Sequence, residues 1–219
     1  NRRIAGDWAR MAMTSHLARG LNPFHLADLQ LGMAGKRNGT IHAMNYTIPE
    51  DVRVQTQTLL QSLRIDQSSE QTVVMQVGAS HPSKRWDAKS FGTVARALYE
   101  QHSVRTLFVG LAHENELVTE AMQIAGSSAI NMAGKTDVPT LAAILEQSSL
   151  IISNDTGTMH LAQAVGTPVL CLTLGNALSQ ETGPYGDGNL IIEPDIDCFP
   201  CNFEVQCPHL NCHNHIDPK

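Results

Sequence analysis

The chain has 219 residues, 42% of them hydrophobic and 16% charged, with a formal net charge of −6. This composition suits a soluble globular protein with a substantial core, and no apolar run approaches the roughly 18 residues that a membrane span needs. A net acidic chain lacks the basic face of a broad nucleic-acid footprint, so no nucleic-acid partner is expected and any anionic ligand must be held by local donors.

In chain order, the opening "NRRIAGDWARMAMTSHLARGL" carries charges throughout and no apolar centre, unlike a signal peptide. Residues 1–45 read as helices ("DWARMAMTSHLARGL", "PFHLADLQLGMAG") with a turn at Asn22-Pro23. They do not share the rhythm of the later residues and read as the remnant of a preceding domain. Residues 46–71 read as a linker carrying a helix. From residue 72 an alternating rhythm begins: "TVVMQV" (72–77) is a strand, and "DAKSFGTVARALYEQH" (87–102) has the spacing of a helix. Next are a strand "VRTLFV" (104–109), a helix "ELVTEAMQIA" (116–125), a weak strand near 129 and a helix "DVPTLAAILEQ" (137–147). Then come the strand "LIIS" (150–153), the helix "TMHLAQAV" and the strand "PVLCLTL" (168–174). Short apolar strands without inside/outside alternation, separated by amphipathic helices, predict a parallel sheet covered on both faces. The expected fold class is α/β, a Rossmann-like doubly wound domain over residues 72–197, with a Cys-rich segment over 198–219. Cys171, inside an apolar run, reads as a core residue.

In such sheets ligands bind beyond the carboxyl ends of the strands, which selects three loops. In "GASHPSKRW" (78–86), Gly78 and Ala79 let a ligand approach the backbone, and Lys84 and Arg85 supply positive charge. Trp86 reads as half of a hydrophobic staple around an Asp87 cap, whereas Lys84 is not needed by the staple and suits a phosphate. In "GLAHENE" (110–116), Glu114 or Glu116 could accept the hydroxyls of a ribose while the other caps the next helix; Glu114 is preferred. In "SNDTGTMH" (153–160) a strand hands over to a helix, whose first N–H groups form a ready anion site that Thr156 and Gly157 would open to a phosphate. Asp155 would repel a phosphate, so it either caps the helix or accepts from a sugar or base. His160, one turn in, is either a structural histidine or a ligand contact. The bland reading of the whole stretch is a helix cap. "AINMAGKT" (129–136) fails as a P-loop, because Ala129 stands where that motif needs glycine, and no G-x-G-x-x-G comes after the first strand.

The tail "CFPCNFEVQCPHLNC" spaces Cys198, Cys201, Cys207 and Cys212 as C-x2-C-x5-C-x4-C. Four thiolates could hold a structural zinc; disulfides, reduced thiols or a clasp at the cleft edge are the alternatives.

"VGASHPSKRWDAKSFGTVARAL" and "MAGKTDVPTLAAILEQSSLIISNDTGTMHLAQAVGTPVLCLTLG" resemble the two signature blocks of glycosyltransferase family 9, the lipopolysaccharide heptosyltransferases, and "GPYG" (183–186) is similar as well. The resemblance spans roughly residues 72–216 and implies one half of a GT-B enzyme: the donor domain plus the end of the amino-terminal domain. It implies transfer of a heptose or related sugar from an ADP-heptose-like nucleotide sugar to a lipopolysaccharide core or lipid A acceptor, with inversion and no cofactor required for catalysis. Such a protein would be cytoplasmic, at the inner face of the inner membrane of a Gram-negative bacterium, with peripheral membrane contact. By position, Lys84 would meet the donor phosphate, Glu114 the ribose, Thr156, Gly157 and His160 the pyrophosphate turn, and Asp155 the donor sugar or the turn itself. The family's base is an Asp in a Gly-rich loop of the amino-terminal domain; Asp7 in "AGDWAR" lacks the preceding strand and is not given that role. His81 stands where an aromatic is commoner. A non-catalytic nucleotide- or metal-binding module is the rival reading.

Overall fold

The computed structural model describes residues 24–34, 43–65, 71–201, 207 and 209–218; Asp7 and the helix expected near residues 7–21 lie outside them. Six parallel strands form one sheet: β1 (Thr72–Gln76), β2 (Arg105–Val109), β3 (Ala129–Asn131), β4 (Leu150–Asn154), β5 (Val169–Leu172) and β6 (Leu190–Ile192). Their order is β3-β2-β1-β4-β5-β6. The chain winds outward from β1 to β3, returns to β4 and winds the other way. The connections therefore diverge at the carboxyl ends of β1 and β4 and leave a crevice there.

Eight helices are described: α1 (Leu26–Met33), α2 (Glu50–Ser62), α3 (Ala88–His102), α4 (Asn115–Ala125), α5 (Val138–Glu146), α6 (Gly157–Ala164), α7 (Ser179–Thr182) and α8 (Asn211–Asn214). Both sheet faces are covered, which is why the strands read as continuous apolar runs. Val73, Met75 and Phe108 pack with Phe91 of α3 and Val118 of α4. On the other face Val74, Leu107 and Ile151 pack with Ile144 of α5 and Met159 of α6. The helix expected within 46–71 is α2, and it is sewn into this second face: Leu60 and Ile65 join the core, and Arg53 donates twice to Glu146 of α5, at 2.8 Å each.

The helix starts obey the local chemistry read from the sequence. Asp87 accepts from the Ser90 amide at 3.0 Å and Asp137 from the Thr140 amide at 2.9 Å. Trp86 packs edge-on against Phe91 with ring centroids 5.1 Å apart, as a staple requires. Cys171 is fully buried, and burial pushes its thiol up to about 12, so it stays an inert core group.

Candidate functional site

A cleft of about 760 Å³ opens over the carboxyl ends of β1, β2 and β4. Its walls include Lys84, Glu114, Asp155, Thr156, Gly157 and His160, the six residues that the sequence singles out. Glu116, the alternative glutamate, is exposed on the first turn of α4 and is not part of that wall.

The cleft floor is the start of α6. Thr156 is its N-cap and makes no side-chain cap hydrogen bond. The amides of Gly157 and Thr158 have no partner among the described residues, and a Cβ built on Gly157 meets nothing within 4 Å. Thr156, Gly157 and Thr158 all line the cleft. Asp155 does not cap the helix either: Lys84 Nζ lies 3.2 Å from its Oδ2, and Thr182 Oγ1 donates to the same oxygen at 3.1 Å. Both members of the ion pair are largely buried, at 18% and 6% side-chain exposure, so removing one partner would strand the other's charge in a poorly solvated wall.

Glu114 forms the second wall. Its carboxylate is buried, and Oε2 accepts from the Gln76 side-chain amide at 3.1 Å and the Leu111 backbone amide at 2.8 Å. Oε1 has no partner among the described residues and lies over Gly78, where a Cβ would come within 1.8 Å of it. Gln76 was not singled out in the sequence, where it reads as part of an apolar strand. It ties the two walls together, because its Oε1 also accepts from Thr158 Oγ1 at 3.3 Å. Beyond Glu114 the wall turns apolar with Leu111 and Val138, exposed at 63% and 56%.

Two further features hold these loops: Asn154, which was not singled out in the sequence, and the carboxy-terminal segment, for which a clasp at the cleft edge is one of the expected alternatives. Asn154, fully buried at the end of β4, accepts from the Trp86 amide at 2.9 Å and donates to the Val77 and Gly78 carbonyls at 2.8 and 3.2 Å. The carboxy-terminal segment braces the Lys84 turn from behind. His213 Nε2 donates to the Ser83 carbonyl at 3.0 Å, and Trp86 Nε1 donates to the Ile216 carbonyl at 3.2 Å. Cys201 N donates to Gly175 O at 2.8 Å. Gly175 has φ +64° and would place a Cβ 2.5 Å from the Ser83 carbonyl, so both its conformation and its size are required.

A family model for glycosyltransferase family 9 (heptosyltransferase) matches residues 40–213. This chain belongs to that family. Lipooligosaccharide heptosyltransferase 2 of Campylobacter jejuni is 29% identical over 177 residues, covering 78% of this chain and 54% of that protein. The lipopolysaccharide core heptosyltransferase OpsX of Haemophilus influenzae is 30% identical over 112 residues, covering 50% of this chain and 31% of that protein. A family 9 glycosyltransferase structure from Veillonella parvula superposes with a TM-score of 0.71 at 26% identity, over 77% of this chain and 49% of that one. The E. coli ADP-heptose heptosyltransferase II structure shares the fold, with a TM-score of 0.70 at 18% identity over 90% of this chain and 59% of that one. The chain thus spans about half the length of the curated relatives it matches.

Among the described residues of this family 9 chain, no group of three or more His, Cys, Asp or Glu is placed to hold a metal ion. Cys198, Cys201, Cys207 and Cys212 are free thiols, Cys198 exposed and Cys212 buried, so the structural zinc rests on their spacing alone. No described helix is long and apolar enough to cross a membrane.

His160 is half-buried, and burial pushes its imidazole below the usual value of 6.5, against the pull of Asp155 nearby. The unfolded chain therefore takes up this proton first as pH falls. Stability should be level above about pH 6.5 and decline below it toward the lowered folded value, and His160→Gln should flatten that decline. Urea midpoints at about pH 7.5 and pH 5.5, with and without the substitution, check this.

Proposed function

We propose that this chain forms the donor-binding half of a glycosyltransferase that moves a heptose, or a closely related sugar, from an ADP-sugar to a lipopolysaccharide core or lipid A acceptor. The observation that carries the reading is the start of α6, where two amides without a partner among the described residues face a cleft that also contains Lys84 and Arg85. Family membership and the heptosyltransferase names of the relatives support the sugar and the acceptor class.

On this reading the diphosphate lies across the Gly157 and Thr158 amides, where the helix dipole and free donors favour an anion. The ribose hydroxyls donate to Glu114, whose Gln76 and Leu111 partners fix its orientation. The base rests on the apolar side chains of Leu111 and Val138. The reaction breaks the bond between the sugar's anomeric carbon and the diphosphate oxygen, and the electron pair leaves on that oxygen. The amides and nearby cations stabilise this charge as an oxyanion hole would, with no metal ion in the donor site. An acceptor hydroxyl oxygen attacks from the opposite face, inverting the carbon, and its proton goes to a base. No described residue of this chain is assigned that last role. Placement at the inner face of the inner membrane, with peripheral contact, belongs to the same reading.

Two substitutions in the intact protein test it. A Cβ at Gly157 meets nothing within 4 Å, so Gly157→Val should leave the fold in place while its branched side chain fills the space claimed for the diphosphate. Lys84→Ala leaves the Asp155 carboxylate unpaired beside the anion site. Each should weaken ADP binding by about tenfold or more, read by calorimetry beside a thermal melt. A helix start that serves only as a cap predicts unchanged binding for Gly157→Val, and that result in both variants would overturn the assignment.

A further inference from the structure

Lys84 and Arg85 are the lysine and arginine of the cleft wall, and the structure treats them differently. Lys84 is matched by a carboxylate: its Nζ lies 3.2 Å from Asp155 Oδ2, an oxygen that Thr182 Oγ1 also holds in place. A lysine–aspartate pair adds a dipole to the wall but no net charge. Arg85 has no such match. Among the described residues no acidic side chain lies within ion-pair distance of it. Its guanidinium is nevertheless fixed, because Nε and Nη2 both donate to the Ala79 carbonyl, at 3.1 and 3.0 Å. A carbonyl oxygen anchors one edge of the fork without neutralising it, and the N–H groups of Nη1 remain unpartnered among the described residues.

The wall's other carboxylates, Glu114 and Asp137, are held by neutral donors of their own, and neither stands within ion-pair distance of Arg85. Glu114 spends one oxygen on the Gln76 and Leu111 donors. Asp137, held below the usual carboxylate range by its bonds to Thr140, is occupied as the cap of α5. An incoming diphosphate brings two or more negative charges, and the α6 amides supply only partial positive charge.

We propose that Arg85 is the side chain whose uncompensated charge selects a nucleoside diphosphate over its unphosphorylated nucleoside. Lys84 acts as a neutral pair with Asp155 that shapes the turn and keeps the carboxylate from repelling the ligand. A pinned guanidinium with free N–H groups loses little freedom on binding and suits phosphate oxygens. This rests on the nucleotide-sugar reading and adds to it which cation discriminates.

The test is calorimetry of ADP and adenosine with the intact protein and its Arg85→Gln and Arg85→Lys variants. The native protein should prefer ADP. Arg85→Gln should lower ADP affinity by about tenfold while adenosine affinity shifts less than about twofold, so that the preference collapses. Arg85→Lys, which keeps the charge but not the fork, should retain part of the preference. Equal losses for ADP and adenosine in Arg85→Gln would mark Arg85 as a loop brace and not the discriminating charge. An unchanged ADP preference in Arg85→Gln overturns the proposal and leaves the nucleotide reading intact. A native protein that binds neither ligand overturns both.

Discussion

Gly78→Ala is expected to disable the Glu114 end of the cleft and to cost about 2–4 kcal/mol of stability, because a buried carboxylate must move to admit one methyl group. The added Cβ would stand 1.8 Å from Glu114 Oε1 and 2.1 Å from its Cδ, distances that no rotamer adjustment of alanine can relieve. On the side of Gly110 the carboxylate already lies close, since a Cβ there would stand 2.8 Å from Glu114 Oε2. The carboxylate must leave its two donors, and the buried Gln76 amide then has no acceptor. Combining Gly78→Ala with Glu114→Ala removes the clash and should recover the part of the loss that comes from the displaced carboxylate, the Gln76 and Leu111 donors still lacking it, while leaving ADP binding weak. Thermal melts and calorimetry of the three variants check this; a double variant that stays as unstable as Gly78→Ala would mean that the carboxylate is not the obstacle.

Asn154→Ala is expected to destabilise the protein by about 3–5 kcal/mol, more than an ordinary surface polar truncation. One amide side chain saturates the Trp86 amide and the Val77 and Gly78 carbonyls, and it is fully buried while doing so. Truncation leaves three backbone groups without partners where water does not reach easily. Asn154→Asp separates the two functions: it keeps the acceptor for Trp86 but faces the two carbonyls with an anion, so it should be at least as damaging as alanine. Denaturant unfolding measures both; a loss below about 1 kcal/mol for alanine would show that the loop after β1 is held by other means.

The sheet could be read from the chain where strands are buried on both sides. "TVVMQV" and "LIIS" are apolar because helices cover both faces, and the loops between them carry the caps that start those helices. The strand β6 is apolar but only three residues long, and its side chains are 65%, 42% and 39% exposed at the sheet edge, so a run this short did not stand out as a strand. In the cleft, Lys84, Glu114 and the "DTG" turn were legible because a polar group at a strand end needs a reason. Gln76 and Asn154 were not. Each lies in or at the end of an apolar strand run, and its partners are 38 to 82 residues away in sequence, so only the folded pairing of β1 with β4 gives it meaning. Thr182 is similar: nothing in "SQETGPYG" announces a hydroxyl aimed at Asp155.

The bracing of the Lys84 turn by His213 and Ile216 bears on how this protein can be cut for study. Each of those two bonds joins residues 130 positions apart. A version trimmed after β6, where the sheet is complete, would keep every strand and still strip the backing from the very loop that carries both cations. The cysteine-bearing end is better regarded as a rear wall of the cleft than as an appendage, and shortened clones should retain it through Ile216.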